Sequence, residues 1–173
     1  MTGPAAGFKA LVVVYSYHHR NTEKVARAMA EVLGAEVKAP KDVRPGELAG
    51  YDLVGFGSGI YSDAPHPDLI ALAQASPAVW RTPAFVFCTM GAPMGGEAGS
   101  EYAAKCQARL KGLLKGTGYR VLGEFHCVGW NTNSFLKLVG GMHRGRPNEQ
   151  DLARAREFAA EMRRKAGQRV SSR

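Results

Sequence analysis

Lys9-Ala10-Leu11-Val12-Val13-Val14-Tyr15-Ser16-Tyr17-His18-His19-Arg20-Asn21-Thr22-Glu23 carries the clearest structural signal in the chain. Leu11 to Val14 is an unbroken apolar run, largely β-branched and too short for a helix. It ends in polar residues, as a strand buried on both faces does. Asn21 and Thr22 then precede Val25, Met29, Val32 and Leu33, which fall on one helical stripe that Gly34 closes. A doubly buried strand, a polar loop and an amphipathic helix form the first half of a strand–helix–strand unit, whose next strand runs parallel to the first.

Outward from this unit the alternation continues. Strands are predicted at 36–39, 52–57, 83–89 and 119–128, each short and apolar. Pro67 opens a helix reaching Ser76, and Tyr102, Cys106, Leu110, Leu113 and Leu114 mark another from about 100 to 115, stopped by Gly116 and Gly118. After Arg146-Pro147-Asn148 a last helix carries Leu152, Ala155, Phe158, Ala159 and Met162. Five strands alternating with helices predict an α/β, doubly wound parallel sheet with helices on both faces. Such sheets take their ligands beyond the carboxyl ends of the strands.

The composition agrees with one compact domain. The chain has 173 residues, 45% apolar and 22% charged, which excludes collagen, disorder and a disulfide-stapled miniprotein. A single domain over 1–173 is expected, with its core at about 8–166 and a frayed tail at 167–173. Cys88, Cys106 and Cys127 show no paired spacing, so reduced thiols and a cytoplasmic location are expected. Residues 1–7 lack the features of an export signal, and no apolar run approaches the ~20 residues of a membrane span. The charge is uneven: residues 1–101 carry 8 basic and 10 acidic side chains, residues 102–173 carry 15 and 5, and the whole chain is +8. No RNP, helix-turn-helix or zinc pattern accompanies the basic half, which argues against a nucleic-acid partner.

The loop 15–23 is dense in hydroxyls, an amide and a cation at a helix start, where unpaired N–H groups favour an anion. The alternative is that Asn21 or Thr22 simply caps the helix. Adjacent His18 and His19, with no Cys, Asp or Glu pattern nearby, make poor metal ligands, and no metal site is expected. This strand–loop–helix, with Thr22 followed by Ala26, resembles the phosphate loop of the flavodoxin family. So do the passage from Tyr51 into Gly57-Ser58-Gly59-Ile60-Tyr61, and the part from Gly123 through Gly140-Gly141 and Gly145-Arg146-Pro147-Asn148 to the last helix. The resemblance extends over nearly the whole chain and implies a flavodoxin-like sheet in the order 2-1-3-4-5 with FMN as cofactor.

Carried onto this sequence, the resemblance puts the FMN phosphate in the loop Ser16, Tyr17, His18, His19, Arg20, Asn21 and Thr22. Where the family's loop has glycines this one has His18 and Arg20, so the backbone there either avoids positive φ or is strained. A phosphate neighbour would raise the pKa of His18 or His19. The second loop, Ser58, Gly59, Ile60, Tyr61 and Ser62, would meet the isoalloxazine, with Tyr61 in the place of the family's stacking aromatic; an ordinary loop tyrosine is the alternative. Ser62 stands where much of the family has a glycine, which implies weaker stabilisation of the one-electron-reduced flavin. The third loop, Thr89, Met90 and Gly91 running on to Gly96, would reach the pyrimidine edge or serve as a flexible connection. The fourth segment, 129–146, is long enough to imply a role as lid or partner surface. Trp130 either takes part in that or packs into the loop's own small core. Cys88 and Cys127 read as buried small apolar residues.

An FMN-binding electron-transfer protein is the expected function, since no second domain or nucleotide motif is present. The alternatives are a single-domain FMN-dependent reductase or oxidase of quinone or protoporphyrinogen type, and a flavin-free binding module. The basic second half implies an acidic redox partner or a small anionic substrate, and the oligomeric state is left open.

Overall fold

The computed structural model describes residues 7–91 and 96–168, so residues 92–95 of the third loop and 169–173 of the tail lie outside the described residues. The buried run forms β1 (Ala10–Tyr15), followed by α1 (Asn21–Leu33), β2 (Glu36–Lys38), β3 (Leu53–Tyr61) and the short β4 (Ala64–Pro65). Then come α2 (Pro67–Ala75), β5 (Thr82–Met90), α3 (Gly96–Gly116), β6 (Tyr119–Val128) and α4 (Glu149–Gly167). The five long-range strands pair in parallel in the order β2-β1-β3-β5-β6, the doubly wound order expected, while β4 folds back antiparallel on β3.

The pleat of β1 divides its side chains between two cores. Val12 and Val14 pack with Phe85, Phe87 and Phe125 under Val25 and Met29 of α1 and Ala155, Ala159 and Met162 of α4. Leu11 and Val13 pack with Val54, Phe56 and Val86 under Leu69 and Leu72 of α2 and Leu110 and Leu114 of α3. Burial of each Leu, Val or Phe contributes about 1.5–3 kcal/mol, so the apolar run in β1 anchors both layers. None of the described helices is long and apolar enough to cross a membrane.

Three boundaries differ from expectation. Strand β3, expected to end at Gly57, instead continues through Ser58, Gly59 and Ile60 as far as Tyr61. The reason lies in the neighbouring strand: Gly55 and Gly57 sit opposite Phe85 and Phe87, whose rings lie over the positions a side chain would take. A Cβ on Gly57 would fall 2.1 Å from Phe87 Cζ. Helix α3 begins at Gly96 rather than Ser100 and runs through Gly116. The chain turns out only at Gly118, with φ +97°, after the Thr117 hydroxyl has donated toward the carbonyls of Leu113 (3.2 Å) and Leu114 (3.0 Å). The 129–146 connection is organised: residues Ser134–Val139 form a 3-10 turn, Asn131 and Met142 form an antiparallel bridge, and Trp130 N–H donates to the Arg146 carbonyl at 2.9 Å. At its end Asn148 and Asp151 make a reciprocal capping box for α4, and Arg146 forks onto the buried Asp151 carboxylate.

Two glycine substitutions test this packing in opposite directions. Gly57→Ala overpacks the Phe87 ring and should lower stability by about 1–3 kcal/mol. Gly112→Ala, on the exposed side of α3 with open space around it, should raise stability by about 0.5–1 kcal/mol. Chemical unfolding of both variants is the measurement, and a neutral Gly57→Ala contradicts the ring-over-glycine interlock.

Candidate functional site

Beyond the carboxyl ends of β1, β3, β5 and β6 lies a cleft of about 260 Å³. His18, Asn21 and Thr22 enter from the first loop, Gly59, Ile60 and Tyr61 from β3, and Thr89, Met90 and Gly91 from the end of β5. Tyr102 of α3 and Gly129, Trp130, Asn131 and Asn133 of the connection close the far wall.

Helix α1 starts without help from a side chain. Its N-cap is Arg20 in the left-handed region (φ 54°), and no side-chain hydrogen bond caps the first turn. Neither Asn21 nor Thr22 serves as the cap. Both are buried and turned to tertiary work: Asn21 Nδ2 donates to the Trp130 carbonyl (2.9 Å), and the Thr22 and Thr89 hydroxyls are 2.7 Å apart. Asn21 Oδ1 is buried without a partner among the described residues. The positive φ that glycines would carry falls on His19 (51°) and Arg20, not on His18. Each such residue costs about 1–2 kcal/mol, so neighbouring contacts must hold the loop.

Those contacts come from the connection after β6. The His19 ring stacks on Trp130 at 4.0 Å and 19°, and its Nε2 lies 2.8 Å from Thr132 Oγ1. His18 Nε2 meets the same hydroxyl at 3.3 Å. Trp130 also donates Nε1–H to the Gly140 carbonyl (3.2 Å), so it packs within its own segment and on the first loop at once. Asn131 lies against Gly91, donating to its carbonyl at 3.2 Å where a Cβ would collide. Burial, then His19 and Lys137, hold the His18 imidazole below its ordinary pKa.

The second loop is a tight hairpin. Ser62 and Asp63 both have positive φ (50° and 61°), as the I′ turn between β3 and β4 requires. The Tyr102 hydroxyl donates to Asp63 Oδ1 at 2.6 Å, and this bond raises the phenol's pKa. Tyr61 accepts the backbone N–H of Tyr17 on its hydroxyl (3.0 Å). Its ring stands edge-on to Tyr15 and His66, which stack at 3.4 Å.

Of the residues the sequence singled out, six do not line the cleft. Ser16, Tyr17 and Arg20 open on its other side. His19 lies beneath Trp130, and Ser62 is in the hairpin turn. Ser58 is buried, its hydroxyl donating to the Gly59 carbonyl (2.6 Å) and accepting the His66 N–H (2.9 Å). Tyr102, Asn131 and Asn133 were missed as cleft residues, and Thr132 as the clasp on the histidines. The polar triplet 131–133 directly after Trp130 was the available signal, whereas Tyr102 reads from sequence as one more member of a helical stripe. Cys88 and Cys127 are buried as expected; burial pushes the Cys88 thiol well up and the Cys127 thiol to about 12.

No protein-family model matches the chain. It is 37% identical over 151 residues to the uncharacterized protein MJ0298 of Methanocaldococcus jannaschii, covering 87% of this chain and 95% of that protein. Flavodoxin 2 from Bacillus cereus superposes with a TM-score of 0.64 at 16% identity, covering 91% of this chain and 99% of that one. An NADH:FMN oxidoreductase in its apo form gives 0.62 at 16% identity, over 91% and 89%. The chain belongs to the family of MJ0298, and its fold is flavodoxin-like. The cleft of this flavodoxin-like chain therefore lies at the switch point of the sheet, where β1 and β3 lead away in opposite directions.

The histidines give the fold a pH dependence. His18 and His126 both have lowered pKa values, for His126 through burial and then Arg154, against a smaller opposing effect of Glu124. The unfolded chain thus binds more protons on acidification. Stability contributed by the neutral rings is complete above the ordinary value of 6.5 and lost as pH falls toward the folded values. Unfolding midpoints between about pH 5 and 7.5 should rise with pH, and His18→Gln with His126→Gln should flatten that slope.

Proposed function

We propose that this chain binds FMN in the cleft and acts as an electron-transfer protein. The observation that carries this reading is the convergence of four segments on one cleft. There the first turn of α1 lacks a side-chain cap and the buried Asn21 Oδ1 lacks a partner. Uncapped first-turn amides suit a phosphate, with the imidazole of His18 beside them. An unpartnered acceptor and the Thr22–Thr89 hydroxyl pair suit the hydroxyl groups of a sugar-alcohol chain. Gly91 and Met90 offer backbone to a flat ring, and Trp130 and Tyr102 border the same space. Bound FMN would supply one- and two-electron transfer, and the residues here bind and orient it.

Size favours a carrier. Sites that enclose a whole ligand run from about 300 to 1,000 Å³, and this cleft, at about 260 Å³, leaves part of a flavin outside for contact with a second protein. The +10 balance of residues 102–173 suits an acidic redox partner or a small anionic substrate. A second reading, an FMN-dependent reductase or oxidase of quinone or protoporphyrinogen type, draws on the Tyr102 hydroxyl, a proton donor held by Asp63 at the cleft wall. Reduced thiols, with Cys88, Cys106 and Cys127 all free, fit a cytoplasmic setting.

Addition of the purified protein to FMN should quench flavin fluorescence, and Asn21→Ala or Thr22→Val should each weaken binding about tenfold, the effect of one lost hydrogen bond. Unquenched FMN at micromolar protein rejects the flavin reading. With FMN bound, the isolated protein should not consume NAD(P)H with a quinone acceptor; rapid turnover replaces the carrier with the reductase. The phosphate dianion should also raise the titration midpoint of His18, read by NMR in the presence and absence of FMN.

A further inference from the structure

A second cleft, of about 430 Å³, opens on the opposite side of the first loop, beyond the carboxyl ends of β1 and β2. Its walls take up Ser16, Tyr17 and Arg20, three of the four first-loop residues that the first cleft leaves out, and add Arg27 of α1 with Lys38 and Lys41. Glu23 is the one carboxylate in the lining. It accepts from Arg27 (2.6 Å) and forms an ion pair with Arg20 (3.3 Å), so two guanidinium groups share a single negative charge. Lys38 is engaged by Glu36 (3.5 Å) and Glu47 (3.0 Å), whereas Lys41 adds an exposed ammonium. Among these cations Tyr17 is 76% exposed, although its backbone N–H is bonded to the Tyr61 hydroxyl.

An exposed aromatic face held rigidly at its backbone and surrounded by excess cations suits a ligand with a flat base and phosphate groups. Base stacking on an aromatic side chain is worth about 1–3 kcal/mol, and guanidinium forks match phosphate oxygens in pairs. We propose that this second cleft binds a nucleotide, its base on Tyr17 and its phosphates on Arg20, Arg27 and Lys41. The cleft has the size of a small-molecule site. The assignment does not rest on flavin in the first cleft.

Calorimetric titration of the full chain with ADP, adenosine and inorganic pyrophosphate, with and without FMN, tests it. ADP should bind more tightly than either fragment, and FMN should leave its affinity unchanged. Arg27→Glu and Lys41→Glu should each weaken ADP and pyrophosphate about tenfold, with Arg27→Gln intermediate. Tyr17→Ala should weaken ADP by a similar factor while leaving pyrophosphate unaffected. Both cations are exposed, so unfolding curves of Lys41→Glu and Arg27→Gln should match the parent, while Arg27→Glu, which sets a like charge one turn from Glu23, should unfold slightly earlier. No ADP binding at millimolar concentration overturns the proposal, as does ADP binding that FMN abolishes or that Arg27→Glu and Lys41→Glu leave unchanged. Pyrophosphate binding as tight as ADP, or indifference of ADP to Tyr17→Ala, reduces the site to a bare anion patch and overturns the nucleotide assignment.

Discussion

Everything in this fold depends on the burial of β1 from both sides. Leu11, Val12 and Val13 have no accessible surface, and a strand so enclosed must find hydrogen bonds along both edges and apolar cover on both faces. Parallel neighbours β2 and β3 supply the edges, and the helices that connect parallel strands supply the cover. The connections then emerge beyond the carboxyl ends of β1, β3, β5 and β6, and it is there that the cleft lies. The site follows from the burial of a strand that contributes no side chain to it.

Closing the cleft takes more than the sheet. The first loop carries two non-glycine residues at positive φ, an arrangement that a free loop would relax. The connection after β6 opposes that relaxation with the Trp130–His19 stack, the Thr132 hydroxyl on both imidazoles and the Asn21–Trp130 bond. Thr132 has one proton to give and two lone pairs to accept with, so the histidines must divide their roles unless both donate to it. Burial first, and then the charges of His19 and Lys137, make His18 favour the neutral form. An anion in the loop would reverse that balance, because its charge favours the protonated ring.

The sequence was most informative where one physical requirement dominated. The Leu11–Val14 run, the stripe on α1 and the strand–helix alternation each reflect burial alone, and the fold class and strand order followed from them and from the family resemblance. It was less informative where two elements decide a conformation jointly. Ser58 and Gly59 look like loop residues until β5 is known to run alongside them as far as Thr89. Tyr61 reads as an aromatic of the second loop, and nothing in its own stretch reports that its hydroxyl holds the Tyr17 amide of the first. Tyr102 looks like core because the pattern of α3 reports the side it shares with the sheet and not that its first turns reach the hairpin of Ser62 and Asp63.

The division of the first loop between two clefts also has a structural reason. Ser16 and Tyr17 leave β1 on the side of the second cleft, and the chain reaches the first only at His18, just before it turns into α1. Arg20, at the N-cap, is then drawn outward by Glu23 one turn along α1. The Tyr61 hydroxyl on Tyr17 N–H spans the partition: a side chain of the first cleft holds the backbone of a residue whose ring lies in the second. A base that rests on that ring uses neither the amide nor the Tyr61 hydroxyl, so it leaves that bond in place. Two ligands couple through a shared residue only where each of them prefers one of its positions. Tyr17, held at its backbone, keeps one position, and a shared residue that stays fixed transmits nothing between the two clefts.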